Sequence, residues 1–255
     1  MIFTDTHAHV YSEEFIDDNE QCFERTIENN VSRVFVPNID VDSIQPLKLI
    51  CTKYKENYYP MMGLHPCSVK DDYKNQLRLI YDELVSTKYY AVGEIGMDLY
   101  WDKSTFEIQK EAFIEQALWA IKFDLPVSIH SRDSTNELIA IIKNENLSNL
   151  RGIFHCFSGD ESEATELINM GFYFGIGGVV TYKNSTLPQV LKTIGKDKLV
   201  LETDSPYLPP TPYRGKRNET SYIPLIADKL AQIFEVSVAE IAEITTNNSK
   251  KVFGI

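Results

Sequence analysis

Short apolar or β-branched segments alternate with longer segments of helical periodicity along nearly the whole chain, and this alternation constrains the fold most strongly. Short segments of this kind, bounded by turn residues, are typical of buried strands. We predict eight strands, at Ile2–Thr6, Arg33–Pro37, Tyr58–Gly63, Tyr89–Glu94, Pro126–His130, Gly152–Cys156, Phe172–Gly175 and Lys198–Thr203. Strands that alternate with helices indicate an α/β fold with a parallel sheet.

The segments between the strands carry apolar residues at helical spacing. In the clearest of them, Thr105–Phe123, one apolar stripe is formed by Phe113, Ile114, Ala117, Leu118 and Ile121. Near the end of the sequence, Ser237 and Glu240 have the spacing of a capping box, which predicts the start of a last helix. These signals place helices where a repeated βα unit requires them.

The length of the chain, 255 residues, is usual for one (β/α)8 barrel. No Gly/Ser-rich linker divides the sequence, so we predict an α/β TIM barrel that forms a single domain over residues 1–255. The alternative is an open doubly wound sheet, which normally carries a glycine-rich phosphate loop after its first strand. The corresponding segment, Asp5–His9, contains no glycine, and this favours the barrel.

The chain is acidic, with 25 Lys and Arg residues against 37 Asp and Glu residues and a formal net charge of −12. Such a protein does not bind nucleic acid through its overall field, although bound cations or a local basic loop can still attract a polyanion to one site. The four cysteines are scattered without a CxxC pair, which is typical of reduced cytoplasmic proteins. We expect a cytoplasmic location and no membrane partner, because no apolar run is long enough to span a bilayer.

All five histidines of the chain lie at or just after the end of a predicted strand. They are His7, His9, His65, His130 and His155. A single histidine in such a place is usually an ordinary hydrogen-bonded residue. In a barrel, however, the carboxyl ends of the strands form the rim on which active sites are built. Five histidines on the same rim therefore predict a metal or catalytic site.

Alternation along the strands sharpens this prediction. Strand side chains point to alternate faces, so His7 and His9 face the same way, with Asp5 behind them. On the last strand, Glu202 and Asp204 likewise share a face. We expect Asp204 at the rim, and Asp5 and Glu202 one layer deeper, where they orient the ligands.

A third carboxylate, that of Glu94, ends the fourth predicted strand. Carboxylates in the mouth of an apolar barrel need counter-charge, since unpaired buried charges are costly. Mixed imidazole and carboxylate ligands suit Zn²⁺, Mn²⁺ or Fe²⁺ and accept Mg²⁺ less readily. The sequence thus favours divalent cations at this rim.

Seven short motifs occur in order between residues 5 and 219: Asp5–His9, Gly63–Pro66, Gly93–Asp98, Ile129–Asp133, His155–Gly159, Leu201–Tyr207 and Arg214–Glu219. This series resembles the TatD family of metal-dependent deoxyribonucleases, which belongs to the amidohydrolase-like barrels. The sequence departs from the family pattern after His9, where Val10-Tyr11 replaces the usual Leu-Asp. The departures spare the proposed ligands and bear on substrate preference.

The resemblance implies two divalent metal ions (Zn, Mn, Mg or Fe) bound by His7, His9, Glu94, His130, His155 and Asp204. His7, His9 and Asp204 would hold one ion, His130 and His155 the other, and Glu94 would bridge them. Glu94 and Asp204 would also be the catalytic carboxylates, with Asp204 accepting the proton of the attacking water. The implied substrate is DNA, single-stranded or at its 3′ ends.

Candidate substrate contacts lie in the rim loops: His65, Arg132, Arg214, Lys216 and Arg217. Each has an ordinary alternative. His65 can be a turn histidine before Pro66, Arg132 can pair with a neighbouring carboxylate, and the basic loop can be a solvated charge run. Three rim aromatics can stack unpaired bases or simply pack the wall: Tyr100, Trp101 and Tyr207.

Three functions remain open on the sequence alone. The first is a DNA 3′-exonuclease or related phosphodiesterase, and the second is a small-molecule amide, ester, lactone or phosphoester hydrolase with the same metal site. The basic loop Arg214–Arg217 favours the first, because a neutral amide needs no such cluster. The third is a non-catalytic scaffold, which the presence of every candidate ligand disfavours. No obligate protein partner is evident.

Overall fold

The computed structural model describes residues 1–255 and contains eight strands that alternate with helices. The strands are β1 Phe3–Asp5, β2 Val31–Val36, β3 Tyr58–Pro60, β4 Val92–Asp98, β5 Val127–Arg132, β6 Gly152–Phe154, β7 Tyr173–Ile176 and β8 Leu199–Leu201. The helices are α1 Asn19–Glu28, α2 Ile44–Lys53, α3 Tyr73–Ser86, α4 Phe106–Lys122, α5 Thr135–Asn144, α6 Glu161–Asn169, α7 Leu187–Ile194, α8 Ile223–Phe234 and α9 Val238–Phe253. The eight predicted strands are all present, with ends displaced by a few residues.

The strands form two parallel sheets, β1-β2-β3 and β4-β5-β6-β7-β8, which meet at two seams. At the first seam, Met62 forms a bridge with Val92, and the Gly93 amide donates to the Met62 carbonyl at 3.0 Å. At the second, Ala8 forms a bridge with Ser205, and the His9 amide donates to the Ser205 carbonyl at 2.8 Å. Backbone hydrogen bonds thus continue across both seams, and the predicted (β/α)8 barrel is confirmed.

Strand β4 is longer than the sequence predicted. The prediction ended it at Glu94, but the strand continues to Asp98, and all seven of its residues are buried. Gln109 of α4 holds the far end: the Asp98 amide donates to Gln109 Oε1 at 2.8 Å, and Gln109 Nε2 donates to the Asp98 carbonyl at 3.1 Å. The extension adds a second buried carboxylate to this strand.

One predicted helix differs in detail from the structure, and another begins where it was predicted. In α4, Phe113 and Ala117 are buried as predicted, but Leu118 is 51% exposed because it lies on the outer side of the stripe. Helix α9 begins after Ser237, whose hydroxyl accepts the Glu240 amide at 3.1 Å as a capping residue should.

The end of the barrel opposite the rim is covered by α9. Phe253 of this helix stacks on Phe35 of β2 with ring centroids 3.5 Å apart. Both belong to a small apolar cluster that also contains Met61, Ala91 and Val200. Burial of these side chains leaves the carboxyl ends of the strands as the accessible mouth. None of the nine helices has the length and apolar character needed to cross a bilayer.

Candidate metal centre

The six predicted metal ligands converge at the carboxyl ends of five strands. They are His7 and His9 after β1, Glu94 in β4, His130 in β5, His155 after β6 and Asp204 after β8. His7 is fully buried, whereas the side chains of His130 and Asp204 are 16% and 14% exposed. The cluster therefore lies at the floor of the mouth, with one side open to solvent.

Glu94 lies at the centre of the cluster, and its two carboxylate oxygens face different histidines. Oε1 lies 2.9 Å from His130 Nδ1 and 2.8 Å from His155 Nε2. Oε2 lies 3.1 Å from His7 Nε2 and 3.5 Å from His9 Nε2. The carboxylate divides the cluster into two halves, which is the arrangement that a bridging ligand requires.

Asp204 joins the half that contains His7 and His9. Its Oδ1 lies 3.6 Å from His9 Nε2 and 3.9 Å from His7 Nε2. Asp204 has a φ of +56°, in the left-handed region that residues with a Cβ seldom adopt. Its amide donates to the His7 carbonyl at 2.9 Å, and the Tyr207 amide donates to its own carbonyl at 2.8 Å. These bonds hold the carboxylate towards β1.

The imidazoles of His7 and His9 both turn Nε2 to the cluster and Nδ1 to a hydroxyl group. His7 Nδ1 lies 3.0 Å from Ser128 Oγ. His9 Nδ1 lies 3.4 Å from the hydroxyl of Tyr11, which itself donates to the Pro37 carbonyl at 2.9 Å. A hydroxyl oxygen can accept the Nδ1 proton, and this leaves a lone pair on Nε2 for a cation.

The other two predicted ligands have carboxylates behind them. His130 turns Nδ1 to the cluster, and its Nε2 lies 3.0 Å from Asp98 Oδ2. His155 turns Nε2 to the cluster, and its Nδ1 lies 3.5 Å from Glu202 Oε1. All four imidazoles therefore turn the outward nitrogen towards an oxygen atom, although His155 Nδ1 forms no hydrogen bond with it. An oxygen behind the outward nitrogen is how metal-binding histidines are usually held.

His65 lies beside the same cluster, but its donor and acceptor ring nitrogens are exchanged relative to the other four histidines. Its Nε2 lies 3.2 Å from Glu94 Oε1, but its Nδ1 accepts the Cys67 amide at 3.0 Å. A neutral imidazole has one N–H, so an accepting Nδ1 places the proton on Nε2. The inward nitrogen of His65 thus donates a hydrogen bond, which suits contact with an oxygen atom better than binding of a cation.

The electrostatics of the cluster fit divalent cations. Burial alone would raise the pKa of Glu94, but the charges of His65, His155 and His7 outweigh burial and hold its pKa well below the ordinary value. A divalent cation held by these residues would supply positive charge at the same place. Ionised carboxylates beside imidazole lone pairs are the donor set of Zn²⁺, Mn²⁺ and Fe²⁺ sites, and the residues present match it.

Asp5 and Glu202 lie beneath the cluster, as predicted. Asp5 is fully buried and accepts hydrogen bonds from the Thr203 hydroxyl at 2.6 Å and the Thr203 amide at 3.0 Å, which ties β1 to the end of β8. Glu202 Oε1 accepts the Cys156 amide at 2.5 Å, whereas Oε2 is buried without a partner. A side chain at Gly175 would overlap the Glu202 carboxylate, so glycine is required there.

A cavity of about 680 Å³ opens above the cluster, and aromatic and cationic side chains line its mouth. Trp101 and Tyr207, both lining residues, are 70% and 49% exposed. The guanidinium of Arg132 lies 3.9 Å from the Tyr100 ring centroid and 5.2 Å from that of Trp101. Arg132 forms no ion pair with a carboxylate, so its charge remains available to the cavity.

The basic residues of the loop Arg214–Arg217 lie away from the metal cluster and its cavity. Arg217 donates to Asp18 Oδ1 and Oδ2, both at 2.7 Å, and to Glu219 Oε1 at 3.0 Å. Arg214 packs on the Tyr182 ring, with its guanidinium 3.8 Å from the centroid. None of the three basic residues lines the cavity, Lys216 included. The geometry gives Arg217 a structural ion pair outside the cavity, and its expected phosphate contact stays a prediction.

Three residues near the ligands were missed by the sequence reasoning. Asp98 was missed because β4 was ended too early, although its position four residues after Glu94 places it on the same face of a strand. Tyr11 occupies a motif position where the family usually has Asp, and that departure was its only signal. Ser128 precedes His130 by two residues on β5, and the same alternation could have found it.

Comparisons with known proteins agree with this geometry. The family model described as TatD related DNase matches residues 4–254. YabD of Bacillus subtilis, described as an uncharacterized metal-dependent hydrolase, is 40% identical over 256 residues, which cover all of both chains. YcfH of Escherichia coli, described in the same words, is 34% identical over 204 residues, 79% of this chain and 76% of that protein.

Solved structures give the same result. The TatD homolog YJJV of Escherichia coli superposes with a TM-score of 0.92 at 29% identity, over 99% of this chain and 98% of that one. An amidohydrolase of Saccharomyces cerevisiae shares the fold, with a TM-score of 0.87 at 18% identity over 99% and 100% of the two chains. Because the family model matches residues 4–254 and a relative of 40% identity covers the whole chain, the chain belongs to the TatD family of metal-dependent hydrolases.

Proposed function

We propose that this protein is a phosphodiesterase that shortens single-stranded DNA from its 3′ end. The observation that carries the proposal is the pair of donors beside the candidate metal ligands, the inward N–H of His65 and the unpaired guanidinium of Arg132. Non-bridging phosphate oxygens are acceptors with negative charge, and charge-assisted donors suit them. The name of the matching family model points to the same substrate.

Each residue has a role that follows from its place. When bound, two divalent cations lower the pKa of a coordinated water and draw electron density from a phosphoryl oxygen. Asp204, at the open side of the cluster, takes the proton of the attacking water. His65 and Arg132 donate to the non-bridging oxygens and stabilise the charge that increases there as the leaving oxygen departs.

The aromatic residues of the mouth support a nucleic acid rather than a simple phosphate ester. Trp101 follows β4 and Tyr207 follows β8, and the fourth and eighth strands of an eight-stranded ring lie opposite each other. Both rings line the cavity, with the metal cluster below. Exposed aromatic rings stack unpaired bases without regard to sequence. We propose that they hold the bases on either side of the scissile phosphate.

Cleavage of labelled single-stranded oligonucleotides tests the proposal. We expect metal-loaded protein to shorten a 5′-labelled strand stepwise and to release the label of a 3′-labelled strand at once. Asp204→Asn should reduce the rate by about 10²–10⁴-fold, the usual contribution of a general base. Asp197→Asn, a substitution before β8 at the closed end of the barrel, is the matched control and should keep the wild-type rate. Loss of all cleavage in chelator is also expected.

The alternative is a small-molecule ester, amide or phosphoester hydrolase. Its support is the structural ion pair of Arg217, which removes one positive charge from the expected DNA-docking loop. A protein that binds its cations but leaves every oligonucleotide intact with Mg²⁺, Mn²⁺ and Zn²⁺ would contradict the nuclease proposal. Turnover of lactones or phosphomonoesters by that protein would then favour the alternative.

A further inference from the structure

Asp98, at the end of β4, is buried behind His130 and bonded on both of its carboxylate oxygens. Oδ2 lies 3.0 Å from His130 Nε2. Oδ1 accepts the backbone amides of Tyr100 at 3.1 Å and Trp101 at 3.3 Å. Asp98 is 2% exposed, and its backbone is held by Gln109. It is therefore a fixed group at the wall of the cavity, with both oxygens already engaged.

The hydrogen bonds of Asp98 decide what it can do to its neighbour. Oδ1 accepts two backbone N–H groups, and this orients the carboxylate so that Oδ2 is the oxygen that meets His130 Nε2 at 3.0 Å. A carboxylate oxygen is a hydrogen-bond acceptor. The nitrogen that faces it therefore carries a proton, so His130 bears N–H on Nε2.

The consequence for His130 differs from that for the other candidate ligands. A neutral ring with its proton on Nε2 has its lone pair on Nδ1, and Nδ1 is the nitrogen that lies 2.9 Å from Glu94 Oε1 and 3.4 Å from His155 Nε2. The three other candidate histidine ligands all present Nε2 inward. His130 thus needs a partner that selects the less common orientation.

We propose that Asp98 is a positioning residue that holds His130 in the tautomer and rotamer that bind the cation through Nδ1. The same carboxylate fixes the turn that carries Tyr100 and Trp101, so one group sets both a metal ligand and an aromatic side of the mouth. The inference rests on the proposed ligand role of His130 and does not depend on the substrate.

Asp98→Asn tests this role with little change in size. The asparagine side chain has only one oxygen, which can accept a hydrogen bond either from His130 or from the two backbone amides. Its NH₂ group then faces the remaining N–H donor, and that hydrogen bond is lost. The control is Asp102→Asn, four residues away in the same loop, where the carboxylate accepts only the Ser104 amide and hydroxyl, at 2.9 and 2.6 Å. Two measurements are made on the full chain, Zn²⁺ binding by competition with a chromophoric chelator and ¹H–¹⁵N spectra of histidine-labelled, Zn²⁺-loaded protein.

We expect Asp98→Asn to weaken binding of at least one Zn²⁺ by about 10–100-fold, the usual effect of removing a group that orients a ligand. The Nε2–H signal of His130, assigned by its loss in His130→Ala, should also disappear. Asp102→Asn should match the wild type in both, and chelated samples of all proteins should unfold at similar temperatures. Wild-type affinity in Asp98→Asn, or an unchanged Nε2–H signal, would overturn the proposal. A wild-type protein that binds no Zn²⁺ would overturn the proposal too. That outcome differs from the others because it rejects the assignment of His130 as a metal ligand.

Discussion

At the scale of single residues, the five histidines differ in the group that faces the outward ring nitrogen. Four of them face an acceptor: Ser128, Tyr11, Asp98 or Glu202. His65 faces a donor, the Cys67 amide. Because the outward partner fixes the position of the single ring proton, it separates residues that can bind a cation from one that can donate to an oxygen.

His65→Ala tests this division. We expect the variant to keep the wild-type metal content, measured by elemental analysis after gel filtration, because the inward nitrogen of His65 is a donor. Cleavage should fall by about 10–100-fold, the range for a lost hydrogen bond of about 1.5–3 kcal/mol to a charged group. His130→Ala is the comparison and should lose metal. A His65→Ala variant that loses a full equivalent of metal would show that His65 is a ligand.

The sequence alone was enough to predict most of the candidate ligands, because their positions depend on local spacing along the strands. His7 and His9 share a face through strand alternation, and Glu94 ends a visible apolar run. The outward partners come from distant parts of the chain, such as Ser128 for His7, and no local pattern shows them. The tautomers therefore could not be predicted, although the residues could.

At the scale of elements, the loop 214–219 is tied to helix α1 by a group of ion pairs. Arg217 contacts Asp18 and Glu219, and Arg25 of α1 contacts the same two carboxylates, at 3.2 and 2.8 Å. The hydrogen bond from Arg217 holds the pKa of Asp18 below its ordinary value. Burial opposes a similar shift at Glu219, but Arg25 and Arg217 still lower its pKa. The loop is thereby held over the β1–α1 side of the barrel.

Arg217→Gln should destabilise the protein by about 1 kcal/mol at pH 7, since the pairs are partly exposed and screened by solvent. Carboxylates with a lowered folded-state pKa contribute stability above their unfolded pKa, near 4, and lose it as the pH falls through the folded value. The difference between wild type and variant in urea unfolding should therefore be complete above about pH 5 and shrink progressively as the pH falls below about 4. A difference that is constant over this range would contradict the ion-pair account. Arg214→Gln, which removes a charge outside these pairs, should show no such pH dependence.

The ion pairs of Arg217 were not predicted, and the reason is physical. A run of basic residues shows charge but not its partners, and Asp18 lies 199 positions earlier in the sequence. Strand and helix ends are limited in the same way: β4 reaches Asp98 because Gln109 of a later helix holds its backbone. Elements follow local periodicity, whereas their limits and ion pairs depend on tertiary contacts.

At the scale of the whole molecule, the candidate ligands come from both sheets. His7 and His9 follow a strand of the three-stranded sheet, and the other four belong to strands of the five-stranded sheet. Cations bound between them would join the two sheets at the β8–β1 seam. The βα count predicted the barrel correctly, because eight repeated units of this length have few other ways to bury their apolar faces.

Removal of metal should therefore lower the melting temperature. At a free-ion concentration 100 times the dissociation constant, binding to the folded state alone stabilises it by about 2.7 kcal/mol. For a chain of this size that corresponds to a shift of about 5–10 °C. Differential scanning fluorimetry in EDTA, followed by stepwise return of Zn²⁺ or Mn²⁺, measures it. An unchanged melting temperature despite stoichiometric binding would mean that the unfolded chain binds the cations as tightly as the folded protein does.

The shared carboxylate of Glu94 has a consequence for how the protein responds to its surroundings. Each half of the cluster contains one oxygen of the Glu94 carboxylate. A cation bound in one half would therefore hold the carboxylate whose other oxygen belongs to the second half. If two ions bind as proposed, thermodynamic linkage makes the effect reciprocal: whatever the first ion does to the affinity of the second, the second does to the affinity of the first. If that coupling is positive, the protein fills and empties over a narrow range of free cation concentration, and activity follows metal supply more steeply than independent sites would allow.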